Sequence, residues 1–177
     1  MSSYQTFIEQ KAKQKRELLG KMFFPRTPVL LVHLNGGRPT VKGIKKEELL
    51  KECKGLLLGL ETIQLTTLVV CPDSMVKELP QGKYLHFLDP QKFDTACAAA
   101  DFVIDFHTDP THIRKFGCVP VAQQNGASTV DYNPIQEEGD GFYFVAPNQW
   151  EMFDAIVRAR ETYKFPYDWE NLIKSLS

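Results

Sequence analysis

Six short apolar runs, separated by stretches of helical period, organise this chain: Val29 to His33, Leu65 to Cys71, Tyr84 to Leu88, Phe102 to Phe106, Val119 to Ala122 and Phe142 to Val145. They lack the strict apolar/polar alternation of a half-solvated strand, so they predict strands buried on both faces of a parallel sheet. Between the first two runs, Leu49, Leu50, Cys53, Leu56, Leu57 and Leu60 fall on one stripe of a 3.6-residue helix. Asp89 is placed to cap a helix that has Pro90 at its first position and runs through Phe93, Cys97 and Ala98 to Ala100. Pro147-Asn148 opens another helix carrying Trp150, Phe153, Ile156, Val157, Arg160 and Tyr163, and Trp169, Leu172 and Ile173 predict a last short one. Residues 4 to about 22 predict a weakly amphipathic helix with Phe7, Ile8, Leu18, Leu19 and Met22 as its apolar contacts, ended by the prolines at 25 and 28.

This alternation of strand and helix predicts an α/β fold: one Rossmann-like domain with a doubly wound parallel sheet of about six strands flanked by helices. The expected division is an N-terminal helical segment over residues 1–27 and the domain proper over 28–177.

An apolar fraction of 43% and a charged fraction of 24% are those of a soluble globular protein. No stretch approaches the roughly 20 apolar residues of a membrane span, and the chain opens on a polar, Lys-rich segment without an apolar leader. A cytoplasmic protein with no membrane partner is expected. Cys53, Cys71, Cys97 and Cys118 each sit within an apolar pattern and lack metal-ligand spacing, so they read as small buried hydrophobes. The net charge of −1 hides an asymmetry, since residues 1–54 carry 12 Lys/Arg against 5 Asp/Glu. That surplus reads as a solvated helix face or as a phosphate-facing first βα unit. Nucleic acid is not an expected partner, because no aromatic-interleaved basic strand accompanies the surplus.

In an open parallel sheet the ligand sits at the carboxyl ends of the strands. After the first strand come Leu34-Asn35-Gly36-Gly37-Arg38-Pro39-Thr40-Val41-Lys42-Gly43. Gly36, Gly37 and Gly43 permit close backbone approach, Arg38 and Lys42 supply positive charge, and the next helix offers free amides. This is either a diphosphate cradle or an ordinary βα loop; it has neither a Walker nor a Rossmann glycine pattern. After the fifth strand, Asn125-Gly126 can form a turn with exposed amides. His107 and His112, near Asp105 and Asp109, are five residues apart and fall on different faces of a helix, so no metal site is expected. Asp109 reads as the N-cap of a short helix with Pro110 at its first position.

Several of these segments resemble the nucleotide-sugar-binding lobe of bacterial starch and glycogen synthases, which are two-lobed glycosyltransferases of the GT-B type. Lys42-Gly43 is similar to the Lys-Gly pair that holds the donor diphosphate in that family, with Arg38 near the family's arginine. Ala98-Ala99-Ala100-Asp101 is similar to its Ala-Gly-Ala-Asp segment. Phe116-Gly117-Cys118-Val119-Pro120 looks like its Tyr-Gly-Thr-Val-Pro, and Ala155, Arg158, Ala159, Tyr163 and Trp169 follow its C-terminal helical pattern.

The departures fall where the family does its chemistry. Asp109 stands where the family has a glutamate, its connection to the aromatic-glycine pair is about five residues shorter, and no Gly-Leu follows. Gln124-Asn125-Gly126-Ala127 replaces an Arg/Lys-Thr-Gly-Gly.

The resemblance implies a donor lobe for glucosyl transfer from ADP-glucose or UDP-glucose to α-1,4-glucan, with Asp109 as its catalytic position. Gly36, Gly37, Arg38, Lys42, Gly43, Asn125 and Gly126 are its binding positions, and no further cofactor is implied. It implies a retaining enzyme only with a second lobe, so a separate amino-terminal-type lobe is an expected partner and the chain alone is expected to be inactive. The alternative is a catalytically dead lobe serving as a protein-interaction module.

Overall fold

The computed structural model of the 177-residue chain describes residues 3–22, 26–35, 37, 39–106, 110–124 and 130–176. Helix α1 (Ser3–Leu19) ends in a 3-10 turn and is followed by β1 (Leu30–His33), α2 (Lys46–Thr62), β2 (Thr67–Val70) and α3 (Asp73–Val76). Then come β3 (Leu85–Leu88), α4 (Phe93–Ala99), β4 (Phe102–Asp105), α5 (Pro110–Arg114) and β5 (Val119–Gln123). The chain closes with β6 (Phe142–Phe144), α6 (Gln149–Tyr163) and α7 (Pro166–Ser175). All six predicted strands form, in the order β3-β2-β1-β4-β5-β6 and all parallel, which is the expected doubly wound Rossmann-like sheet.

The unalternated runs are explained by burial on two sides. Leu30, Val32, Phe102 and Ile104 point into one core layer with α2, α6 and α7, while Val29, Leu31 and Val103 point into another with α4. The run at Tyr84–Leu88 departs from this expectation: β3 is the sheet edge, and only Leu85 of its four residues is fully buried. Sequence reading also misses α3, a single turn after Pro72 too short to carry a periodic signal.

Helix ends follow the local chemistry. Asp89 accepts a hydrogen bond from the Gln91 amide, but the residues it caps, Pro90–Lys92, form a 3-10 turn before α4 begins. Asn148 caps α6 by accepting from the Trp150 and Glu151 amides. Helices α2 and α6 approach closely where Gly55 and Gly59 face Gln149 and the Phe153 ring, leaving little room for a methyl group at either position. Trp169 of α7 packs edge-on against both Phe102 and Tyr163.

The N-terminal helix differs from its sequence reading. Ile8 is exposed, and the inward stripe is Tyr4, Phe7, Lys11, Lys15, Leu18 and Leu19, with Lys11 and Lys15 buried at 5% and 6% exposure. The predicted contact of the Met22 side chain lies outside what is described. The Lys15 ammonium donates to Asp101 Oδ2 at 2.6 Å, and that same oxygen accepts the Val29 amide at 2.7 Å. Asp101 therefore ties α1, the start of β1 and the start of β4 at one buried point. Phe7 lies against Gly117, whose φ of +62° and lack of a side chain both serve the contact.

Removing one partner of such a buried pair leaves an uncompensated charge and costs about 3–5 kcal/mol. Asp101→Ala is expected to lose that much stability in urea unfolding, and Asp101→Asn less, since its amide oxygen still accepts from Val29. Equal stability of wild type and Asp101→Ala would contradict this role.

Candidate functional site

The strand order reverses between β1 and β4, so a crevice opens above their carboxyl ends. His33 and Asp105 are the last residues of these strands and lie in register. His33 Nδ1 is 3.0 Å from Asp105 Oδ1, and its ring stacks on Phe93 at 4.1 Å between centroids. With Nδ1 facing a carboxylate, the imidazole is fixed in orientation at the floor of the crevice.

The loop from β1 to α2 forms one wall. Leu34 continues the parallel pairing by donating to Val70 O at 2.8 Å, and then Asn35 Oδ1 accepts the Gly37 amide at 2.8 Å in an Asx turn. Thr40 reaches across to β4, donating from its amide and its hydroxyl to Phe106 O at 2.7 and 2.9 Å. The loop next meets β5: Gln123 Oε1 accepts the Lys42 amide at 2.7 Å, and Gln123 Nε2 donates to Lys42 O and Val145 O, each at 3.0 Å. One uncharged side chain thereby joins the first loop, β5 and the end of β6.

Gly43 turns the chain with φ of +85° into α2, whose N-cap residue Lys45 is extended and makes no side-chain cap. The first amides of α2 consequently have no capping side chain, and Lys42, Lys45 and Lys46, at and just before the helix start, are exposed. Glu47 and Glu48, also in the first turn, oppose part of this field.

Of the sequence-predicted positions, Gly37, Lys42 and Gly43 lie in this wall, with the Gly37 amide engaged by Asn35 and the Lys42 side chain exposed. Gly36, Arg38, Asp109, Asn125 and Gly126 lie outside the described residues, as does His107. His112 Nε2 lies 2.8 Å from Asp94 Oδ1, and its ring packs near Phe93 and Phe116. Among the described residues no three His, Cys, Asp or Glu side chains are grouped to hold a metal ion.

Sequence reasoning did not single out His33 or Gln123, and it placed Asp105 with His107 and His112, not with His33. His33 and Asp105 carry a signal, polar residues ending apolar strands that the topology makes neighbours. Gln123 carries none, since its partner Lys42 is 81 residues away.

The far wall rests on charged clasps. Arg158 pairs with Asp131 and Asp154 and donates to Tyr143 O, and Arg114 pairs with Asp140, which also accepts the Tyr143 hydroxyl at 2.7 Å. Burial, reinforced by Asp140, pushes the Tyr143 phenol up, so it stays a hydrogen-bond donor. Burial and then Asp168 push Tyr132, in the same linker, up to about 12. The segment 130–141 is thus pinned to α5, α6 and α7.

No family model matches the chain. It is 38% identical over 61 residues to glycogen synthase 1 of Synechocystis, covering 33% of this chain and 13% of that protein. It is 29% identical over 99 residues to the glycogen synthase of Geobacillus stearothermophilus, covering 51% of this chain and 20% of that protein. Among solved structures, the catalytic domain of starch synthase IV from Arabidopsis thaliana, bound to ADP and acarbose, superposes with a TM-score of 0.64 at 17% identity. That superposition covers 94% of this chain and 38% of the plant domain, so the chain spans well under half of it. Across the curated relatives quoted above, the aligned segments reach a fifth or less of each protein. No helix among the described residues is long and apolar enough to cross a membrane. Sequence relatives and fold agree: segments of the chain are similar to bacterial glycogen synthases, and its single Rossmann-like sheet has the fold of part of a starch synthase catalytic domain.

Proposed function

We propose that the chain is a donor-type lobe that binds a nucleoside diphosphate or its glucose conjugate, ADP-glucose or UDP-glucose, at the carboxyl edge of its sheet. The observation that carries this reading is the N-terminus of α2, which has no side-chain cap, follows the loop from β1, and has the exposed Lys42, Lys45 and Lys46 at and just before it in the chain. Backbone amides and fixed cations together suit a diphosphate. The ADP bound by the structurally similar starch synthase supports the ligand class.

Glucosyl transfer requires groups on both sides of the sugar, because only contacts strengthened in the transition state accelerate the step. A single lobe offers one side. The shortened segment at Asp109 and the loss of basic residues around Asn125 and Gly126 weaken even that side, so transfer to glucan belongs at most to an assembly with a second lobe.

A reading as a protein-interaction module draws support from Val145 and Trp150, which are 68% and 74% exposed near this edge. The two readings separate by mutation: Lys42→Ala acts on the nucleotide and Trp150→Ala on a protein partner.

Calorimetry with ADP, UDP, ADP-glucose and UDP-glucose is expected to give saturable heat at up to millimolar ligand. Lys42→Ala should weaken binding about tenfold, the loss of one exposed charge-assisted contact. Because Gln123 holds the Lys42 backbone and not its side chain, the truncation leaves the loop in place. Absence of heat with all four ligands would sink the binding claim. Incubation of the lone chain with labelled ADP-glucose or UDP-glucose and glycogen is expected to incorporate no label, and measurable incorporation would refute the need for a second lobe.

A further inference from the structure

All four cysteines are buried, but two of them share a site that the donor crevice does not use. Cys97 lies near the end of α4, and Cys118 immediately precedes β5. Cys118 Sγ approaches Cys97 O at 2.9 Å and Ala100 O at 3.4 Å. Cys118 Sγ therefore lies against the backbone of Cys97 itself. Over them sits the Lys11 ammonium, 3.6 Å from Cys118 Sγ and donating to the carbonyls of Cys97 and Ala100. A cation beside one of two neighbouring cysteines is the environment that makes one sulfur the nucleophile and the other its resolving partner.

We infer that Cys97 and Cys118 form an oxidisable dithiol, in which Cys118 reacts first with a peroxide and Cys97 closes the disulfide. The remaining cysteines supply the contrast. Burial pushes Cys53 up to about 12 and Cys71 up to about 11, each reinforced by a neighbouring carboxylate, Glu52 and Asp73. Burial also raises Cys118, but the hydrogen bond from Cys97 and the Lys11 ammonium outweigh it and bring it down. Cys97 is raised, first by its hydrogen bond to Cys118 and then by burial.

Access follows from how α1 is docked. Its inward stripe holds two ammonium groups in place of apolar side chains, so the helix is seated by polar anchors and less by burial of apolar surface. A cleft of about 410 Å³, lined by Gln10, Lys11, Lys13, Gln14, Ala98 and Lys115 among others, reaches Lys11 from the side. The cleft reaches Lys11, which contacts Cys118, and Ala98, which follows Cys97 in the chain.

The chemistry balances with hydrogen peroxide as the oxidant. The Cys118 thiolate, its proton released, attacks one peroxide oxygen; the O–O bond breaks, leaving a sulfenic acid and a hydroxide that takes up a proton to become water. Cys97 sulfur then attacks the Cys118 sulfur, forming the S–S bond and breaking the S–O bond. The departing hydroxide leaves with the Cys97 proton as a second water. Two thiols lose two electrons, and one peroxide becomes two waters.

The test treats the full chain with a few equivalents of hydrogen peroxide, blocks remaining thiols, and maps peptides by mass spectrometry. The expected product has lost two hydrogens, carries a Cys97–Cys118 linked peptide, reverts with dithiothreitol and leaves Cys53 and Cys71 as thiols. In Cys97→Ser a dimedone adduct should collect on Cys118, whereas in Cys118→Ser none should form on Cys97. If Cys118→Ser fails to fold, the adduct on Cys118 in Cys97→Ser decides the order of attack. A chain that stays fully reduced, over-oxidation of single cysteines without a link, or a link through Cys53 or Cys71 would each overturn the assignment.

Discussion

Parallel pairing of β1 with β4 is the relation on which the rest of the molecule depends. Because β1 lies at the centre and the chain crosses over to either side of it, the sheet has a reversal of order and hence a crevice. Both ends of this pair are pinned. Below, Asp101 at the start of β4 accepts the Val29 amide that leads into β1. Above, Thr40 donates twice to Phe106 O while His33 meets Asp105. The helices add their apolar layers to a pair already fixed at its two ends, which is why a polar side chain such as Asp101 can be wholly interior without loosening the core.

How much of this was legible depended on whether the signal was local. The six strands could be read because burial on both faces removes polar alternation, and that signal weakened at β3, where an edge strand needs only one covered face. Caps at Asp89 and Asn148 could be read because their partners are two or three residues away. The lysines of α1 misled, since a charged side chain ordinarily means solvent; only the distant carbonyls and the Asp101 carboxylate explain why Lys11 and Lys15 are inside. In the site, the turn at Lys42-Gly43 was visible from its glycine, whereas the dual role of Gln123 depends on residues brought together by the whole sheet.

Burial of those two lysines also alters the electrostatic reading. The amino-terminal third carries a basic surplus in its sequence, yet part of it is spent inside on carbonyls and on Asp101. Of the rest, Lys42, Lys45 and Lys46 are exposed at the start of α2, whose first turn also holds Glu47 and Glu48.

Gln123 has one more consequence. Salt and proton concentration act on charged clasps, but a carboxamide that donates and accepts at once is indifferent to both across the physiological range. The seam joining the first loop to β5 and β6 therefore keeps its geometry as ionic strength changes, while the arginine clasps of the neighbouring linker feel that change. Any salt dependence in ligand affinity at this edge then reports on the ligand's own charge and the loop lysines, and not on a wall that has shifted beneath it.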